Sequence, residues 1–125
     1  IYVLTDLDPW GAYIYSVLKY GSINLAHASE HMAIPSVRYL GITVQDVEKY
    51  DLKKHLIKLN DKDVARIKQI SEYAWFKDNK AWQNQFKIMK QMSAKAEIQA
   101  LSARGISFIS EKYLPEKIKN KDFID

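Results

Sequence analysis

The sequence predicts an α/β domain: a small, mostly parallel sheet flanked by helices, followed by a helical C-terminal half. Three observations predict it. Residues 1–50 alternate short apolar and β-branched runs with helix-like stretches, the rhythm of strands joined by crossovers. Beyond about residue 60 the apolar positions recur every third or fourth residue, which is a helical period. The chain has 125 residues, 47% of them hydrophobic, which suits one domain around one core and is too apolar for a disordered tail.

Taken in order, Ile1 to Thr5 reads as a short buried strand, apolar or β-branched without clear alternation. Pro9 suits the first position of a helix, where its missing N–H costs nothing, and "WGAYIYSVLKY" continues that helix to Gly21, a left-handed stop. Being apolar on most sides, this helix is expected to be buried on more than one. "SINLAH" (22–27) reads as a second strand, "ASEHMAIPS" as a loop or single helical turn, and "VRYLGI" as a third strand. Thr43 with Asp46 forms a capping pattern for "VQDVEKY". Asp61 is expected to cap a helix to about Tyr73, with Val64, Ala65, Ile67, Ile70 and Ala74 along one side. "WFKDNKAW" forms a corner, after which Asp78 or Asn79 caps a long helix. The spacing of Trp82, Phe86, Met89, Met92, Ala96, Ala100 and Ala103 carries that helix to Gly105. "ISFISEKYLPEKI" is expected to be an extended segment and a final turn. No repeat or low-complexity stretch occurs.

Composition excludes several functions. With no cysteine there is no disulfide, thiolate metal site or cysteine nucleophile. No apolar run reaches the roughly 18 residues of a membrane span, and no basic-then-apolar segment marks a secretory signal. The net charge of +4 suits an anionic partner, although the lysines are interleaved with acids along solvated helix surfaces. The chain opens at Ile1 inside an apparent strand without a polar lead-in, and is expected to be part of a longer protein.

The most informative stretch is "TDLDPW". If strand geometry persists through Asp8, Asp6 and Asp8 share one face. Two close carboxylates repel, so one stays protonated unless a cation lies between them. A hard cation such as Mg²⁺ takes one or two carboxylates plus waters and phosphate oxygens, and the following helix N-terminus favours a phosphate. The pair therefore suits Mg²⁺-assisted chemistry on a phosphate ester, with Asp6 and Asp8 as ligands. The competing reading is structural: Asp8 before Pro9 is a good helix cap, and Asp6 serves the turn. Other candidates are weaker. His27 and His31 are four apart but lack the glutamate of a zinc-protease motif, and His55 stands apart from them. No glycine-rich phosphate loop is present, and nothing sets a base on Ser29. Tyr13, Tyr15 and Tyr20 read as packing residues, as do Trp75, Phe76 and Trp82 at the corner.

"VLTDLDPWGAYIYSVLKYGS" resembles the second acidic motif of the Toprim domain in the A subunit of archaeal DNA topoisomerase VI, a family that includes the meiotic double-strand-break protein Spo11. The likeness continues collinearly through "RYLGIT", "AWFKDNKAWQNQF", "KAEIQAL" and "EKYLPEKI", across nearly the whole chain. The resemblance implies a Toprim-type, Rossmann-like domain within an ATP-dependent type IIB topoisomerase, which passes one DNA duplex through a transient double-strand break. It implies Mg²⁺ on a glutamate and an aspartate pair, the latter falling on Asp6 and Asp8. It implies an A-subunit homodimer within an A2B2 heterotetramer whose B subunit binds ATP, acting on chromosomal DNA in the cytoplasm. In that family the glutamate lies on an earlier strand, and the nucleophilic tyrosine on a still earlier winged-helix domain. Residues 1–125 would then be the C-terminal part of a Toprim domain lacking its first strand, with no catalytic residue of its own and no activity alone. Aromatics near Trp75 and Tyr113 are expected to be exposed and to serve the dimer.

Two other functions compete. A haloacid-dehalogenase-like phosphatase also ends a strand in such a pair, but follows it with a hydroxyl residue where this chain has Pro9 and Trp10. A non-catalytic interaction domain would use the pair only as a cap.

Overall fold

The structure, a computed structural model, describes residues 1–21, 34–105 and 107–124. The strand expected over 22–27, which ends at His27, and the part of the following loop that holds His31 lie outside the described residues.

The first strand, β1 (Tyr2–Leu4), runs parallel to β2 (Arg38–Gly41), with an irregular register between Val3 and Leu4. The pairing continues one residue beyond each strand: the Thr5 N–H donates to the Gly41 carbonyl (2.8 Å), and the Ile42 N–H to that of Thr5 (2.9 Å). Between them lies α1 (Pro9–Tyr20), begun by Asp8 and Pro9 and ended at Gly21, whose φ of 87° is easy only for glycine. Helix α2 (Val44–Lys49) follows β2 behind a complete capping box between Thr43 and Asp46. A short strand, β3 (Ile57–Lys58), leads into α3 (Asp61–Ser71), α4 (Ala74–Lys77) and α5 (Lys80–Met92). This is the expected α/β arrangement, with a small parallel sheet and helices around it.

Several boundaries differ from expectation. Asn60, not Asp61, caps α3, through a reciprocal box with Asp63. The buried side of α3 is Asp63, Ile67 and Ile70, whereas Val64, Ala65 and Ala74 face outward. Asn79 caps α5 as one of the two expected residues. That helix stops at Met92 rather than running to Gly105. Ser93 turns left-handed (φ 51°), and β4 (Ala94–Lys95) pairs antiparallel with β3. Ala96 then exchanges backbone hydrogen bonds with Leu7 (2.7 and 3.0 Å), and only a short helix, α6 (Gln99–Ser102), follows. The alanines fit a helical period equally well, but pairing with the end of β1 takes the backbone donors a continued helix would have used.

The C-terminal segment is helical rather than extended. A wide, π-type turn (Ile109–Tyr113) runs directly into α7 (Leu114–Lys119), and Ile124 then pairs with Tyr39 on the outer edge of β2. A buried cluster secures it. The Lys117 ammonium donates to both oxygens of Asp46 (2.8 Å each), the Tyr113 hydroxyl donates to the same carboxylate, and the Asp46 and Lys117 side chains are fully buried. Asp46 thus both caps α2 and anchors α7.

The core joins Val3, Leu7, Tyr15 and Tyr39 to Ile67, Ile70, Phe76, Trp82 and Phe86. Trp82 sits among the rings of Tyr15, Tyr39, Phe76 and Phe86 at centroid distances of 4.8–5.8 Å, as packing at the corner required. Helix α1 is buried along one face only: Trp10 and Ile14 are each 49% exposed. Its second apolar face has no packing layer among the described residues. Of the aromatics expected to be exposed, Tyr113 is buried, whereas Trp75 is half-buried and stacks on Tyr20. No described helix is long and apolar enough to cross a membrane.

Candidate metal centre

The two aspartates sit where β1 gives way to α1. Strand geometry does not persist through them. The Asp8 N–H turns back to the Asp6 carbonyl (3.1 Å), while Leu7 between them points into the core and pairs with Ala96. Each carboxylate is oriented by one backbone N–H. Asp8 Oδ1 accepts from Gly11 (2.7 Å), which caps α1, and Asp6 Oδ1 accepts from Ile98 (2.7 Å), ninety-two residues away. The cap that competed with a metal role is therefore real, but it uses one oxygen of Asp8. Among the described residues the second oxygen of each carboxylate accepts no hydrogen bond. Both side chains are half-buried. Gly11 is required here, because a side chain at that position would meet the Asp6 carbonyl and Thr5.

Burial pushes the Asp8 carboxyl above its ordinary value, against the lowering effect of the Gly11 N–H, and the charge of Asp6 adds to the rise. The expected rise is present, but loss of hydration contributes more than repulsion. Lys95 and Asp63 complete the surroundings. Lys95 Nζ donates to Asp63 Oδ2 (2.7 Å), and both charges act on Asp8. Burial alone would raise the Asp63 carboxyl, yet Lys95 and the Asn60 N–H outweigh it and hold it low. Sequence reasoning did not single out this ion pair. Its signals were Asp63 in the cap of α3 and Lys95 at the head of "KAEIQAL", neither tied to the other by spacing.

The donor set fits a hard divalent cation: two carboxylates, each with an oxygen to offer, beside a helix N-terminus. Among the described residues no third acidic or histidine side chain completes a cage, so water or phosphate oxygens would fill the remaining positions. His55 lies in an exposed turn (Lys53–His55).

A small parallel sheet with flanking helices and an acidic pair at the carboxyl end of its first strand defines a Toprim-type domain. The sequence profile for the Toprim domain of the topoisomerase 6 A subunit and Spo11 matches residues 1–118, and the chain belongs to that family. Curated relatives that carry the name of the type 2 DNA topoisomerase 6 A subunit include that of Sulfurisphaera tokodaii, 39% identical over 100% of this chain and 35% of the relative. That of Saccharolobus shibatae is 40% identical over 99% of this chain and 34% of the relative. That of Pyrococcus horikoshii is 41% identical over 95% of this chain and 34% of the relative. The chain thus spans about a third of the length of the curated relatives it matches. Membership sets aside the phosphatase alternative.

Proposed function

We propose that this chain is the metal-holding part of the DNA-cleaving subunit of an ATP-dependent type IIB topoisomerase. The observation that carries the reading is the Asp6–Asp8 pair at the end of β1: each carboxylate is fixed by one backbone N–H and keeps an oxygen for a ligand. Asp6 and Asp8 would hold Mg²⁺, which when bound supplies charge neutralisation and orientation at a scissile or neighbouring phosphate. They act as ligands rather than general bases. Fixing Asp6 through Ile98 and Asp8 through the start of α1 sets the carboxylates before DNA arrives, so little ordering remains at the moment of reaction.

The nucleophilic tyrosine comes from elsewhere in the longer protein. Tyr39, which hydrogen-bonds Thr5 beside the pair, supports this: it is buried, burial pushes its hydroxyl well up, and it donates to the Ile42 carbonyl. Residues 1–125 alone do not cut DNA. The working assembly is an A-subunit dimer with an ATP-binding B subunit, in an A2B2 arrangement, on duplex DNA in the cytoplasm. The names of the relatives support the topoisomerase assignment.

The test is Asp6→Asn and Asp8→Asn in the full-length cleavage subunit, reconstituted with its ATPase partner. DNA cleavage should fall sharply while the fold persists, since both amides can still accept the backbone N–H. The chain alone should bind Mn²⁺ with a dissociation constant on the order of millimolar or weaker, having only two carboxylates. Paramagnetic broadening should centre on Asp6, Asp8 and Trp10. Broadening elsewhere, or full cleavage by both variants, would reduce the pair to a helix cap.

A further inference from the structure

Beside the acidic pair, α1 and α3 diverge to leave an open cleft of about 310 Å³. Its walls are Trp10 from the first turn of α1 and Lys62, Asp63, Arg66 and Gln69 from α3. Lys62 and Arg66 are four residues apart, so both project along one side of α3. The Arg66 guanidinium lies over the Trp10 ring, 4.2 Å from its centroid, and is steadied by a hydrogen bond to Gln69 Oε1 (3.0 Å). Among the described residues neither Lys62 nor Arg66 forms an ion pair. The one acid in the wall, Asp63, is already engaged by Lys95 and by the Asn60 N–H. Two cations on one stripe repel, and the fold holds one of them in place on an exposed indole. That arrangement leaves a planar, pre-ordered set of N–H donors facing a cleft, which matches the oxygens of a phosphate. Trp10 follows Asp8, the cap of α1, by two residues, and the charge of Asp63 in the cleft wall acts on Asp8, so the cleft neighbours the acidic pair.

We propose that this cleft is a phosphate subsite for the DNA strand held at Asp6 and Asp8, with Arg66, stacked on Trp10, and Lys62 as its donors. The inference rests on the function proposed above and extends it by naming which residues grip the backbone next to the scissile phosphate. Successive phosphates on a strand are separated by about 3.4 Å of rise, so a strand seated at the acidic pair carries a neighbouring phosphate past the cleft. The interaction is electrostatic and independent of base sequence.

The test uses a short duplex and the full-length cleavage subunit, with affinity measured by fluorescence anisotropy across a range of salt. Lys62→Gln and Arg66→Gln together should weaken binding about tenfold at moderate salt. The slope of log affinity against log salt should become shallower by about 0.9 for each phosphate no longer gripped. Arg66→Lys, which keeps the charge but loses the fork, should fall between. Thermal melts report whether each variant folds, and Lys62→Gln, a change on the exposed face of α3, keeps the test decisive if Arg66 variants unfold. Unchanged affinity and slope in folded variants would overturn the subsite. Reduced stability with an unchanged slope would overturn it too, since another part of the longer chain would then fill the cleft. Full cleavage by Asp6→Asn and Asp8→Asn is a separate result, which would sink the metal reading but leave the salt slope to judge the cleft.

Discussion

Replacing Lys117 by methionine should cost this domain about 3 kcal/mol. Methionine keeps most of the volume and removes only the ammonium. In the native fold that ammonium lies 2.8 Å from both oxygens of Asp46, and both side chains are fully sealed from water. Removing one partner of a buried pair leaves the other charge uncompensated, which costs roughly 3–5 kcal/mol. Asp46 would retain the Tyr113 hydroxyl and the Thr43 N–H, so the low end applies. Against a total stability of roughly 5–15 kcal/mol this is a large fraction. Urea unfolding followed by tryptophan fluorescence reads it directly, because Trp82 lies in the core. Lys119→Met, two residues on and exposed, is the control and should shift stability by no more than about 0.5 kcal/mol. Lys117→Met combined with Asp46→Asn should cost less than the sum of the two single changes, because no bare charge remains. A loss for Lys117→Met no larger than that of the control would refute the argument. It would mean that water reaches Asp46 or that α7 is not held through this carboxylate.

Two further outcomes follow from the site and the sheet. Burial raises the folded-state pKa of Asp8, so its ionisation works against the fold. The penalty is absent below the unfolded value of 3.8 and grows as pH rises through the folded value. Asp8→Asn, which keeps the cap, should therefore melt higher than the native chain at pH 7, with the gap closing below about pH 3; an equal or lower melting temperature at pH 7 would contradict this. Gly41→Ala should cost about 2–3 kcal/mol, because the added methyl would strike the Tyr113 hydroxyl. Adding Tyr113→Phe should recover part of that loss in chemical unfolding, and no recovery would mean that the clash lies elsewhere.

One set of elements follows from local chemistry and is legible along the chain. Pro9 and Gly21 bound α1, the Thr43–Asp46 box starts α2, and Asn79 starts α5, because caps and φ preferences act within a few residues. The acidic pair was legible for the same reason, as two like charges at the end of an apolar run. Tertiary structure alone decided where α5 ends: Ala94, Lys95 and Ala96 suit a helix, and only the unpaired edge at β3 and Leu7 draws them into extended pairing. It also decided that residues 108–119 are helical, since Lys117 becomes a core residue only when Asp46 is there to receive it. The surroundings of the acidic pair belong to the same class. Ile98 reaches Asp6, Lys95 reaches Asp63 and Arg66 reaches Trp10 across separations of 92, 32 and 56 residues. No periodicity spans such distances, because these interactions come from packing between elements rather than from the chain's local preferences.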